Sequence, residues 1–198
     1  MERTQDSVCV MVATREPSCR AGQAAAFRSA ALTLWGKLGW EEVLRAISSE
    51  TREQLFEPPV SPVAWVPERL MMDLAEQVYE GPAARNDHGY RVFVRTMIEH
   101  GFGRIRRLFI RYATPELLLS RAPELWKHDH THGELSVQIG DGRATAVLRR
   151  HPHVATELAR LTAAETFKSA LSLTRAREVQ MEHFHDEDAL RVELGWRR

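Results

Sequence analysis

The stretch "GELSVQIGDGRATAVLRR", residues 133–150, decides the fold. Leu135, Val137 and Ile139 alternate with polar residues, a Gly-Asp-Gly follows, and a second β-rich run begins, which is the pattern of a β-hairpin. Downstream, "VATELARLTAAETFKSALSLT" (154–174) places Leu158, Leu161, Ala164, Phe167 and Leu171 at the spacing of an amphipathic helix. The chain then returns to strands with "AREVQMEHFH" (176–185), the acidic turn "DED" (186–188) and "ALRVELGW" (189–196), in which Leu190, Val192, Leu194 and Trp196 alternate. This part therefore reads β-β-α-β-β.

Upstream, everything regular reads as helix. Residues 21–48, "AGQAAAFRSAALTLWGKLGWEEVLRAIS", predict two helical pieces hinged near Gly36 or Gly39. Four prolines within 56–70 make that stretch a connector, after which Pro67 opens a helix that Gly81 closes. Residues 84–113 continue the helical pattern with a bend around Gly101 and Gly103, and Thr114 caps another helix that has Pro115 in its first turn. Helices and strands are segregated. The expected fold is α+β, with N-terminal helices packed on a C-terminal four-stranded, mostly antiparallel sheet.

A chain of 198 residues suits one core, so residues 1–20 are expected to form an arm or short strand and 21–198 a single ligand-binding-like domain. Lys plus Arg and Asp plus Glu balance at 27 each, which gives no overall field to draw the protein onto nucleic acid or an anionic membrane. No apolar run approaches a membrane span, and the two cysteines, Cys9 and Cys19, form no C-x-x-C pair; a cytoplasmic protein is expected. Ser29 and Ser169 lack the nucleophile-elbow glycines, and "IGDGRA" lacks the strand-to-helix setting of a phosphate loop. No catalytic residue is assigned, and the expected function is non-enzymatic.

Histidines cluster in "WKHDHTHGEL" (126–135). Extended, this segment would present His128, His130 and His132 on one face, a way to offer imidazoles to zinc or iron; His151 with His153 and His183 with His185 form two similar pairs, the latter sharing parity with Val179 and Met181 so that it could point inward. The competing reading continues the register of Leu135, Val137 and Ile139 backwards, which puts the first three histidines on the solvent side. His151 and His153 flank a proline and read as loop. Arg104, Arg107 and Arg111 form a basic stripe that would grip phosphate or an acidic partner, or simply face water. Met72, Phe93, Met97, Phe102, Phe109 and Phe167 are large apolar residues that would wall a pocket between helices and sheet, or fill a core.

The order of landmarks, "FRSAALTLWGKLGWEEVL", then "W-V-P", "IEHGFGRIRRLFIRYATPELLLSRAPELW", "G-E-L-S-V" and a closing "V-E-L-G-W", resembles a group of bacterial paralogues. That group looks like a branch of the superfamily of heme-nitric-oxide-binding domains, four-vinyl-reductase domains and TRAPP vesicle-tethering subunits. The resemblance spans most of residues 21–197. It implies N-terminal helices on a C-terminal sheet, frequent homodimers, a pocket for heme, acyl chains or small aromatic effectors, and a sensory or assembly role exercised through a protein partner. In the heme-binding branch a Tyr-x-Ser-x-Arg motif holds the propionates, and a histidine on the helix before the first sheet strand holds the iron. This chain lacks the motif, residues 114–126 contain no histidine, and His100 lies further upstream; these departures put heme in doubt. The expectation is a sensory or regulatory domain with an apolar small-molecule pocket; the alternatives are a dimerisation scaffold with a filled core and a histidine-based metal-binding protein.

Overall fold

The computed structural model describes residues 16–102, 110–186 and 188–197. It is an α+β fold in which helices pack on a four-stranded antiparallel sheet. Strand β1 (Ser18–Arg20) leads into helix α1 (Gly22–Ala46), then α2 (Ser49–Leu55), strand β2 (Trp65–Pro67), α3 (Glu68–Glu80) and α4 (Asp87–Gly101). Helix α5 (Pro115–Asp129) precedes strands β3 (Glu134–Gly140) and β4 (Arg143–Arg149). A short 3-10 turn (Pro152–Val154), helix α6 (Glu157–Ser172), and strands β5 (Arg177–Asp186) and β6 (Ala189–Arg197) complete it.

The large sheet has the order β3-β4-β6-β5, and β1 pairs with β2 in a separate two-stranded ribbon. Alternation along each strand lines up into rows across the sheet: Leu135 faces Leu148, Leu148 faces Leu190, and Leu190 faces His185. The next row runs Val137, Ala146, Val192, His183. Leu148, Leu190 and Val192 on the two central strands are fully buried, whereas Ile139 at the β3 edge is 39% exposed. With small residues at Ala144, Ala146, Ala163 and Ala164, helix α6 can approach this face closely.

A second core lies among the helices, built on Leu70, Leu74, Val43, Val78, Tyr90 and Phe93. Here Phe93 packs edge-on to Phe27 and stacked on Trp35. Gly36, with φ of +67°, breaks α1 into the two pieces expected near Gly36 or Gly39. At the start of α2, Asp73 from α3 accepts hydrogen bonds from the Ser48 backbone N–H, the Ser48 hydroxyl and the buried Thr51 hydroxyl. The two cores are bridged where α4 meets α6, through a buried hydrogen bond of 2.8 Å between the Tyr90 and Thr162 hydroxyls and an Arg91–Glu165 ion pair.

One reading changes against this fold. Helix α5 runs on past Trp126 to Asp129, so His128 is helical and the backward extension of the β3 register does not apply to the histidines. Helix continues because nothing in "WKHD" breaks it, and the turn comes only at His130. Of the apolar residues singled out from sequence, Phe93 and Met97 are buried in the helical core, Phe167 borders the sheet core, and Met72 and Phe102 are half-buried. Phe109, Arg104 and Arg107 lie outside the described residues, while Arg111 is exposed.

Candidate functional site

The two cores meet at a carboxylate. Glu68 is the first residue of α3, held there by its backbone N–H donating to the Pro17 carbonyl, and its residue is only 1% exposed. At an N-terminal first turn a glutamate is favoured by the helix dipole, but normally from the solvent side. Here the β1–β2 ribbon covers it, and its side chain reaches histidines supplied by the sheet half of the molecule.

His130 arrives from the end of α5, where its backbone forms an isolated bridge with Cys19 of β1, and its Nδ1 lies 2.5 Å from Glu68 Oε1. His151 arrives from the end of β4, with Nε2 at 3.2 Å from the same oxygen. His153 sits on the 3-10 turn with Nε2 at 3.9 Å from Glu68 Oε2. The tautomers follow from the outer partners. His151 Nδ1 accepts the His153 backbone N–H, so its proton is on Nε2 and is donated to Glu68. The Gln23 side-chain amide donates to His130 Nε2, so the His130 proton is on Nδ1 and also points at Glu68. Glu68 Oε1 thus accepts two N–H groups, while Oε2 is buried and accepts none, and His153 Nδ1 is buried and unpartnered as well.

Burial by itself would raise the Glu68 pKa; the hydrogen bonds from His130 and His151 and the nearby His153 outweigh it and hold the carboxyl well below the usual range. Burial holds His151 below its ordinary value and pushes His153 down to about 3, so these imidazoles are neutral. Burial, then the negative charges of Glu68 and Asp129, push the Cys19 thiol up, and it stays protonated. The arrangement is an ionised carboxylate beside two neutral imidazoles, those of His151 and His153.

Two residues pack this cluster. The Trp126 ring stacks on His130 with centroids 4.0 Å apart and donates its indole N–H to the His132 carbonyl. Gly133, at φ of +90°, lets the chain pass so close that an added Cβ would lie 2.9 Å from both the His151 ring and the Trp126 indole nitrogen.

Of the histidines singled out from sequence, only His130 belongs to this cluster. His128 is exposed beside Asp129, and the His132 ring faces the Thr131 hydroxyl. His183 lies on the inner face of the sheet, its pKa lowered by partial burial and by Arg91 and Arg160, and His185 is exposed at the edge. Glu68, His151 and His153 together form the group that metal-ligand spacing selects among the described residues, all their donor atoms lying within 4.8 Å of one another. Sequence reasoning named His151 and His153 as a further histidine pair and set them aside because they flank a proline in a loop; it missed Glu68, which looks like any first-turn acid. The available signal was the His-Pro-His pair itself, since two imidazoles two residues apart around a rigid turn can face one point.

No protein-family model matches the chain, and no curated protein does. Solved structures do match, at low identity. The chain shares its fold with an H-NOX protein variant from S. oneidensis in the Fe(II) ligation state, at TM-score 0.67 and 11% identity over 90% of this chain and 96% of that one. An unliganded Fe(II) H-NOX protein from K. algicida matches at TM-score 0.61 and 13% identity, with 90% and 97% covered. An oxygen-binding H-NOX domain related to soluble guanylate cyclases matches at 0.62 and 10%, with 90% and 95% covered. The fold is that of heme-nitric-oxide-binding domains.

Heme is implied by that fold, but the described residues do not fit it. A porphyrin held as the resemblance implies needs a histidine aimed into an apolar cleft. The buried histidines 130 and 151 instead donate to Glu68, His100 meets the Thr33 hydroxyl on an exposed surface, and Leu70, Leu74, Tyr90, Phe93 and Leu171 pack the cores without exposure above 1%. Two hollows among the described residues, of about 540 and 430 Å³, open on the outer sheet face near Gly195 and beside Trp35, neither of them at the junction of the cores.

Proposed function

We propose that this chain is a non-enzymatic sensory or regulatory domain whose ligand site is the Glu68–histidine junction, and that occupancy there changes how the helical half sits on the sheet for a protein partner, a second copy of the chain included. The observation that carries this reading is the unpartnered, buried Glu68 Oε2, which lies where β1, α3, α5 and the β4–α6 connection converge. A buried carboxylate oxygen without a donor costs free energy unless something binds it. Oxygen binding by a solved domain of the same fold supports a binding role for this architecture. Each half contributes side chains to the site, so a ligand with different affinity for two arrangements shifts their populations.

A second reading has its own support. The cores are filled, with Phe93, Tyr90 and Leu171 fully buried, as a dimerisation scaffold would require. Native and then denaturing mass spectrometry of the full chain, purified without chelators, separates the two. The regulatory reading expects an added non-covalent mass that is lost on denaturation and absent from Glu68→Gln. A dimer with no added mass in either protein overturns it in favour of the scaffold.

A further inference from the structure

We infer that the ligand of this junction is a divalent transition-metal ion held by Glu68, His151 and His153, an assignment that rests on the regulatory reading above and names its input. Two neutral imidazoles and one carboxylate are a donor set for zinc or ferrous iron. Three features point to an ion and away from an organic ligand. The donor atoms lie within 4.8 Å of one another, leaving room for an atom and not for a molecule. The Glu68 oxygen that faces His153 has no hydrogen bond, and the 3.9 Å between it and His153 Nε2 is too long for one. His153 Nδ1 is buried without a partner and the ring makes no hydrogen bond, so it enters a coordination sphere without giving one up. Gln23 and Trp126 hold His130 beside the site, where it supports Glu68 as a metal-bound carboxylate is ordinarily supported.

Loading the ion has a conformational consequence. His151 carries its proton on Nε2 because Nδ1 accepts the His153 backbone N–H that starts the 3-10 turn. For Nε2 to bind the ion, the ring's one proton moves to Nδ1, which then no longer accepts the His153 N–H, and the cap on Pro152–Val154 is released. The connection from β4 to α6 is then re-set by occupancy, which turns an ion at the junction into a change at the sheet.

The test is titration of Co2+, and separately Zn2+, into the full chain. One Co2+ per chain with the visible spectrum of a tetrahedral site is expected, and Zn2+ should compete for it. His153→Gln should lower the affinity at least about 100-fold, beyond the loss produced by removing a supporting residue. Because the His153 ring makes no hydrogen bond, this variant should keep the far-UV circular dichroism and thermal midpoint of the wild type. His128→Gln should bind as the wild type does. In wild-type protein, imidazole NMR signals of His151 and His153 should move on Zn2+ addition while those of His183 and His185 stay, a readout independent of any variant. No stoichiometric uptake, uptake unchanged in His153→Gln, or movement of the wrong ring signals overturns the assignment. An organic mass retained by the wild type and lost from Glu68→Gln would overturn the ion and keep the regulatory reading.

Discussion

Glu68 and Gly133 carry opposite kinds of constraint on the same few cubic ångströms. Replacing Glu68 with Ala removes the acceptor of two imidazole N–H groups, and the expected loss is about 1–3 kcal/mol of stability for each donor left unsatisfied. Chemical denaturation measures it, and a loss under about 1 kcal/mol would show that the histidines find other acceptors or water. Gly133→Ala forces a side chain into a positive φ and against His151 and Trp126, for an expected cost of about 2–4 kcal/mol. A variant as stable as the wild type would mean that the loop yields. At this scale the sequence was least legible. Hairpin register argued for solvent-facing histidines at 128–132, and it failed because α5 runs three residues past Trp126 and turns at His130. No local pattern marks Glu68 as buried, since its cover comes from residues 17–20, some fifty positions earlier.

Elements were far more legible, because each is set by local periodicity and by residues that start or stop it. Thr114 caps α5 through its hydroxyl, as its place before Pro115 suggested, and Gly142 turns β3 into β4. The alternating leucines and valines place the inner sheet face correctly, down to His183 opposite Val192. What periodicity could not give was the contact between elements that are distant in sequence. The Asp73 network that fastens α2 to α3 is one such contact: Asp73→Ala should cost about 1–2 kcal/mol, as for loss of a helix cap, and should fray α2 first in amide exchange. Equal protection of α2 in both proteins would contradict that assignment. Tyr90→Phe, which deletes the hydroxyl bridge from α4 to α6, should cost only about 1 kcal/mol because Thr162 keeps its bond to the Leu158 carbonyl.

For the molecule as a whole, the heme-nitric-oxide-binding fold persists at 10–13% identity, with a polar knot of Glu68 and histidines between its halves among the described residues. The landmarks of glycine, tryptophan and proline were enough to suggest the architecture, since they mark turns and helix ends; they carry no information on what fills the middle. That filling is the central claim: one carboxylate joins helical and sheet halves into a single responsive unit. Amide hydrogen exchange of wild type against Glu68→Gln tests it most directly. The account predicts that exchange rises together at 67–72 in the helical half and at 128–134 and 149–156 in the sheet half, with 36–46 unchanged. A rise confined to the first turn of α3 would contradict it.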